Sequence, residues 1–142
     1  MDLRSGLQLE QPDVLVPWSV SESALRRLLD SHGLREVTRG YFTISCVSLG
    51  GLHHELGFHF LPRGGDHLHE FEFFRRSYPD QVASYREFQK HFEHAFGPPT
   101  RSTPGTEGYS RHEWEAPGAR IIHFVQDRFG LEEHMRIERG RP

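Results

Sequence analysis

The chain has 142 residues, of which 35% are hydrophobic and 12% aromatic, and its formal net charge is −3. This length suits a single domain spanning residues 1–142, which buries roughly two-thirds of its unfolded surface. The mild negative charge gives no general electrostatic reason to bind nucleic acid. No apolar run is long enough for a signal peptide or a membrane span. We therefore expect a cytoplasmic protein with a packed core.

Residues 1–16 form a lead-in segment, and its apolar patch at Val14–Val16 either adds an edge strand or lies on the surface. A first helix is predicted to begin at Ser19, because Ser19 and Glu22 have the three-residue spacing of a capping box. Gly33 is a suitable left-handed terminator. The predicted apolar stripe of this helix consists of Leu25, Leu28 and Leu29.

Three strands are predicted next, in the segments YFTISCVSL, LGFHFL and HLHEFEFF, with the turn PRGGD between the second and the third. Their residues alternate between apolar and polar, which is typical of a sheet with one buried face and one face in water. Cys46 is the single cysteine, so that disulfides and thiolate zinc sites are excluded. It alternates with Phe42 and Ile44, and we interpret it as a small core residue.

A second helix is predicted after Pro79, with Asp80 as its cap and Gly97 as its end. Apolar residues recur along it at intervals of three or four residues. Three more strands follow in the segments YSRHEWE, RIIHFVQ and LEEHMRIE. We expect Ile122 and Phe124 of the middle segment to face the core. The inward residues of the flanking segments are predicted to be Trp114, Met135 and Ile137.

The predicted fold class is α+β, with one antiparallel sheet of about six strands and both helices packed on one face. The order is a helix and three strands, twice: a first unit at 17–78 and a second at 79–139. A shift of sixty-four residues aligns His59 with His123 and Phe71 with Met135. This alignment indicates either an internal duplication or the chance similarity of two amphipathic patterns.

The outward positions of these strands form a surface that either binds a protein or is simply solvated. Aromatic and arginine side chains among acidic residues are common in protein interfaces. The residues that we predict to contact a partner are Tyr41, His59, Glu70, Glu72, Tyr109, Glu113, Glu115, His123, His134 and Arg136.

Some of the same residues suggest an alternative, a site for zinc or another divalent ion. His59, Glu70, His123 and His134 would supply three imidazoles and a carboxylate if the two halves met at central strands. However, dedicated metal sites usually show a local ligand motif, and none is present here. We therefore expect no cofactor and prefer the interpretation as an exposed sheet face.

Catalytic motifs are also lacking, since no GxSxG nucleophile turn or phosphate-binding glycine loop opens a helix. Glu113 and Glu115 flank Trp114, but solvated alternation explains them better than acid–base catalysis. The chain resembles bacterial toxin-neutralising immunity proteins in size, layout and acidity, although no motif assigns it to a family. The preferred hypothesis is a non-enzymatic module that binds another protein, such as a basic toxin. A metal-dependent protein and a small-ligand carrier are the alternatives.

Overall fold

A computed structural model of the chain describes residues 1–60, 67–75 and 80–140. The described residues form two α-helices, α1 (Glu22–Leu29) and α2 (Gln81–Phe96). In chain order the strands are β1 (Gly6–Gln8), β2 (Leu15–Pro17), β3 (Arg35–Thr38), β4 (Tyr41–Ser48), β5 (Leu52–Phe60), β6 (Leu68–Phe74), β7 (Arg101–Thr103), β8 (Arg111–Ala116), β9 (Ala119–Asp127) and β10 (Leu131–Arg139). The predicted PRGGD turn lies outside the described residues.

The main sheet is antiparallel and has eight strands in the order β3-β4-β5-β6-β10-β9-β8-β7. Each half consists of a helix followed by four strands, and the halves meet where β6 pairs with β10. The α+β class and the large antiparallel sheet are therefore confirmed, but the prediction of about six strands is wrong. The additional strands are β3 and β7 at the two edges. All of their residues are exposed, so their sequences carry no alternating pattern that could have revealed them.

The core lies between the helices and one face of the sheet. Residues that pair across strands point to the same side, and one row of paired residues crosses six strands. That row consists of Phe42, Phe58, Phe71, Ile137, Ile121 and Trp114. The ring of Phe92 in α2 lies 5.8 Å from that of Trp114. The Arg26 guanidinium of α1 lies 5.1 Å from the Phe42 ring centroid. Both helices thus pack on the same face.

The helix caps are only partly those predicted. Asp80 caps α2, as expected, and accepts hydrogen bonds from the backbone N–H groups of Val82 and Ala83. The cap of α1 is Ser21, which accepts a hydrogen bond from Ala24 at 3.1 Å, so the prediction of Ser19 was wrong by two residues. No helix within residues 1–60, 67–75 and 80–140 is long and apolar enough to cross a membrane.

The lead-in segment forms a small antiparallel ribbon of β1 and β2. Leu7, Val16 and Trp18 of this region are buried in the core. The Trp18 ring lies 4.7 Å from the Phe71 ring, and its indole N–H donates to the Leu3 carbonyl at 2.8 Å. The ribbon therefore covers the same face of the sheet as the helices and extends the core.

Strand β9 presents the opposite face from the one predicted. Ile121, His123 and Val125 point towards the helices, whereas Ile122 and Phe124 point away, because His123 pairs with the core residue Met135. Phe71 of β6 and Met135 of β10 are equivalent under a shift of sixty-four residues. Their partners in the neighbouring strands, Phe58 of β5 and His123 of β9, are separated by sixty-five residues, so the register of the two halves differs by one residue. A shift of one residue exchanges the two faces of a strand.

Candidate functional site

The sheet face opposite the helices is called the open face below. Both helices and the β1–β2 ribbon pack on the other side, so the polar residues of the central strands project from this face. Most of the residues predicted to contact a partner lie there: Tyr41, His59, Glu70, Glu72, Glu113, Glu115, His134 and Arg136.

Tyr41 lies flat across the neighbouring strand because Gly57 has no side chain. A Cβ atom at Gly57 would be 2.8 Å from Cε2 of Tyr41, which is closer than packing allows. The Tyr41 ring stacks on His59 with 4.3 Å between ring centroids and 23° between planes. Burial and the nearby carboxylate of Glu72 raise the pKa of Tyr41 to about 12. Its phenol therefore remains a hydrogen-bond donor at neutral pH.

Two carboxyl groups flank the His59 imidazole. Its Nε2 atom lies 3.1 Å from Oε1 of Glu72 and 3.6 Å from Oε2 of Glu70. Burial raises the pKa of Glu70, whereas the hydrogen bond with His59 lowers the pKa of Glu72. Glu72 therefore holds its negative charge more strongly than Glu70 does. We call Tyr41, His59, Glu70 and Glu72 the acidic patch.

Arginines surround a carboxylate on the second half of the open face. Glu113 is 6% exposed and accepts hydrogen bonds from Arg101 at 2.8 Å, Arg111 at 3.2 Å and Arg120 at 2.6 Å. Burial alone would raise the pKa of Glu113, but the hydrogen bonds from Arg120 and Arg111 lower it. This half is neutralised internally, so it has less electrostatic attraction to offer than the acidic patch.

An aromatic side chain that was expected in the core lies beside these arginines. Phe124 stacks on His134 with ring centroids 4.8 Å apart and 11° between planes. The guanidinium carbon of Arg111 lies 4.5 Å above the Phe124 ring, in the range of a cation–π contact. Phe124 is therefore partly covered by polar side chains from other strands and not by a helix.

Two of the predicted partner-contacting residues are not on the open face. His123 is fully buried under α2, and its outward placement was wrong because the face of β9 was misassigned. The ring of Tyr109 lies 5.0 Å from that of Tyr85 in α2, so Tyr109 belongs to the helix side.

His123 instead belongs to a buried polar cluster that the sequence did not suggest. Its Nε2 atom lies 2.6 Å from the carboxylate of Glu133, and its Nδ1 atom lies 2.8 Å from Oε1 of Gln89. Glu133 also accepts hydrogen bonds from Ser84 at 2.7 Å and Gln81 at 2.9 Å. The cluster ties α2 to β9 and β10. The only indication of this cluster in the sequence is that Glu133 lies two residues before the core residue Met135, so that both side chains point to the same face of the strand.

The four residues of the alternative metal site are not assembled. His59, Glu70 and His134 lie on the open face, whereas His123 lies on the helix face. Among the described residues, no group of three or more His, Cys, Asp or Glu side chains is arranged to hold a metal ion. The alternative site consequently loses the geometry on which it rested.

A cleft of about 570 Å³ lies near the far end of β4 and β5 and includes Cys46 and His54. Burial raises the pKa of Cys46 to about 12, so its thiol is protonated and unreactive. The His54 Nε2 atom lies 2.6 Å from the hydroxyl of Ser48, and its Nδ1 atom lies 2.8 Å from the carbonyl of Glu55. These groups already satisfy one another, as expected of a structural site.

A second cleft of about 390 Å³ opens where β6 and β10 separate. The pairing of these strands ends at Phe73 and Met135, while β10 continues to pair with β9 as far as Leu131. We call this opening the β6–β10 cleft. Its lining consists of Tyr41, Glu72, Phe73, Phe74, Gln81, Leu131, Glu132, Glu133 and His134.

Comparison with known proteins found no family model, no curated protein and no solved structure that matches this chain. A functional proposal therefore rests on the side chains of the chain itself.

Proposed function

We propose that the chain is a non-enzymatic protein-binding module, an inhibitor of the immunity type, which docks a basic protein on its open face. The observation that carries the proposal is the acidic patch. Strands β5 and β6 direct Glu70 and Glu72 to this face and contribute no arginine to it, and beside them lies Arg136 of β10, whose Nη1 atom is 3.9 Å from Oε1 of Glu70.

The patch has the rigidity that a docking surface needs. Tyr41 is fixed between Gly57 and His59, and the carboxylate of Glu72 is hydrogen-bonded to the same imidazole. Aromatic side chains that are already ordered contribute contact area at a low entropic cost. Arginine or lysine side chains of a partner would complement Glu70 and Glu72, and such charges accelerate association. A basic toxin, whose active surface is itself positively charged, fits this chemistry.

The test is the capture of a basic partner from the native host by the immobilised chain, compared with a charge-reversed variant. We expect the wild-type chain to retain a specific basic protein and Glu70→Lys to lose it. Glu93→Lys is the matched control, because Glu93 is exposed on α2 and its substitution changes the net charge by the same amount.

The captured protein would then be produced alone and titrated against the chain by calorimetry at increasing salt concentration. Binding that weakens with salt and with Glu70→Lys, but not with Glu93→Lys, supports docking on the acidic patch. Equal retention by all three proteins would contradict it, and so would the absence of any partner at micromolar concentration.

A further inference from the structure

The hairpin between β9 and β10 carries an apolar side chain at its tip that the fold does not use. Phe129 is 94% exposed, and Leu131 beside it is 39% exposed. The turn is made by Gly130, with a φ of 119°, and by a hydrogen bond from Arg128 N–H to the Gly130 carbonyl. None of this needs an aromatic residue at position 129. Single exposed apolar residues are common, so the surroundings of Phe129 decide what it means.

The β6–β10 cleft lies beside this hairpin, since Leu131 belongs to both. Tyr41, Phe74 and Leu131 give the cleft apolar walls, and Glu72 and Glu132 add carboxylates. Its volume of about 390 Å³ lies within the range of cavities that hold aromatic groups. The tip offers a phenyl ring next to a guanidinium, and the cleft offers apolar walls next to carboxylates.

We propose that the tip formed by Arg128 and Phe129 inserts into the β6–β10 cleft of a second copy of the chain, and that two copies exchange tips. Phe129 fills the apolar part of the cleft, and Arg128 pairs with Glu132. The tip does not occupy the cleft of its own chain, because Phe129 is almost completely exposed.

A second copy is favoured as the occupant because the tip and the cleft adjoin each other at the same end of the molecule. A two-fold interface uses the same patch on both copies, so that the tip of each copy meets the β6–β10 cleft of the other. The tip and the cleft must then belong to the same patch, and here Leu131 adjoins the tip and lines the cleft. The opposite charges of Arg128 and Glu132 also make the patch complementary to itself.

Sedimentation equilibrium of the purified chain tests this inference from micromolar to millimolar concentration. We expect a reversible dimer, and we expect Phe129→Ser to raise its dissociation constant at least about tenfold, because buried aromatic anchors dominate such interfaces. Val37→Ser is the matched control, since Val37 is 50% exposed on β3, and it should leave the constant unchanged. At a concentration at which the wild-type chain is monomeric, Phe129→Ser should also leave the thermal midpoint unchanged, because the ring lies in water within the monomer.

Exchanging the charges of Arg128 and Glu132 tests whether the β6–β10 cleft is the site that binds the tip. Arg128→Glu and Glu132→Arg should each weaken the dimer, and the double variant R128E/E132R should restore it. A wild-type chain that stays monomeric over the whole range would overturn the inference. A dimer unaffected by F129S, or a double variant no tighter than the single ones, would do the same. Tyr41 and Glu72 belong to both the acidic patch and the cleft, but Glu70 does not line the cleft. E70K should therefore dimerise normally, and a failure of the proposed partner docking remains distinguishable.

Discussion

The buried imidazole of His54 should make the stability of the fold depend on pH. Burial lowers the pKa of His54 to about 4. This effect is larger than that of the hydrogen bond to the Glu55 carbonyl, which acts in the opposite direction. The ring is 6% exposed, so solvent does little to weaken the effect. In the unfolded chain the same imidazole titrates near 6.5. The unfolded state therefore binds a proton in the window between these two values, while the folded state does not.

This difference in pKa sets the sign and the size of the change in the free energy of unfolding with pH. Stability is fully present above pH 6.5 and is lost as the pH falls towards 4, because protonation pulls the chain towards the unfolded state. A difference of about 2.5 pKa units corresponds to about 3 kcal/mol in total. At pH 5 the loss should be about 2 kcal/mol, since the folded state is still largely unprotonated there.

Urea denaturation at several pH values between 7.5 and 5 measures this loss. The reference is the double variant Ser48→Ala with His54→Phe, which removes the titrating group together with its hydroxyl partner and preserves the shape of the site. Subtracting the two pH profiles cancels the contributions of the other histidines. His53→Gln is the control, because His53 is the exposed neighbour on the same strand. If the double variant loses as much stability as the wild type between these pH values, then His54 does not carry the effect.

Two further substitutions probe the interior and the open face. Glu133→Gln should lower the free energy of unfolding by about 1–3 kcal/mol, because it removes the buried carboxylate that binds His123, Ser84 and Gln81. Glu132→Gln should change it by less than about 0.5 kcal/mol, and denaturant midpoints that move equally would contradict the structural role of the buried pair. Gly57→Ala should displace the Tyr41 ring and cost about 1–3 kcal/mol. NMR should then show the loss of the Tyr41 ring-current shift on the neighbouring imidazole, and an unchanged spectrum would refute the stacked geometry.

The central strands could be predicted because their apolar residues alternate without ambiguity. Phe42, Phe58 and Phe71 lie in the predicted alternating segments, and they pair with one another across three strands. In the same way, Phe88 and Phe92 belong to the apolar residues that recur along α2, and both are buried in the core. In these segments, local sequence and tertiary structure agree.

Strand β9 could not be predicted, because its sequence is apolar on both faces. Ile121 and Ile122 are 0% and 4% exposed, although they point in opposite directions. The choice between the two faces depends on distant residues: Glu133 and Gln89 bind His123, and Arg111 covers Phe124. Each of these partners is at least 10 residues away in the sequence, so no local pattern contains that information, and a shift of one position exchanges the faces. For the same reason His123 does not lie with the other three residues of the alternative metal site.

The departures from simple sequence rules concentrate at one end of the molecule. There, Glu133 is buried beside His123, the β6–β10 ladder stops at Phe73, and Phe129 stands in water. A buried hydrogen-bonded polar pair adds little net stability, and an open cleft leaves apolar side chains incompletely packed. Natural chains tend to violate local rules where function requires it. If this end is built for association, F129S should weaken the dimer and leave the stability of the monomer unchanged. A residue that served the fold would show the reverse.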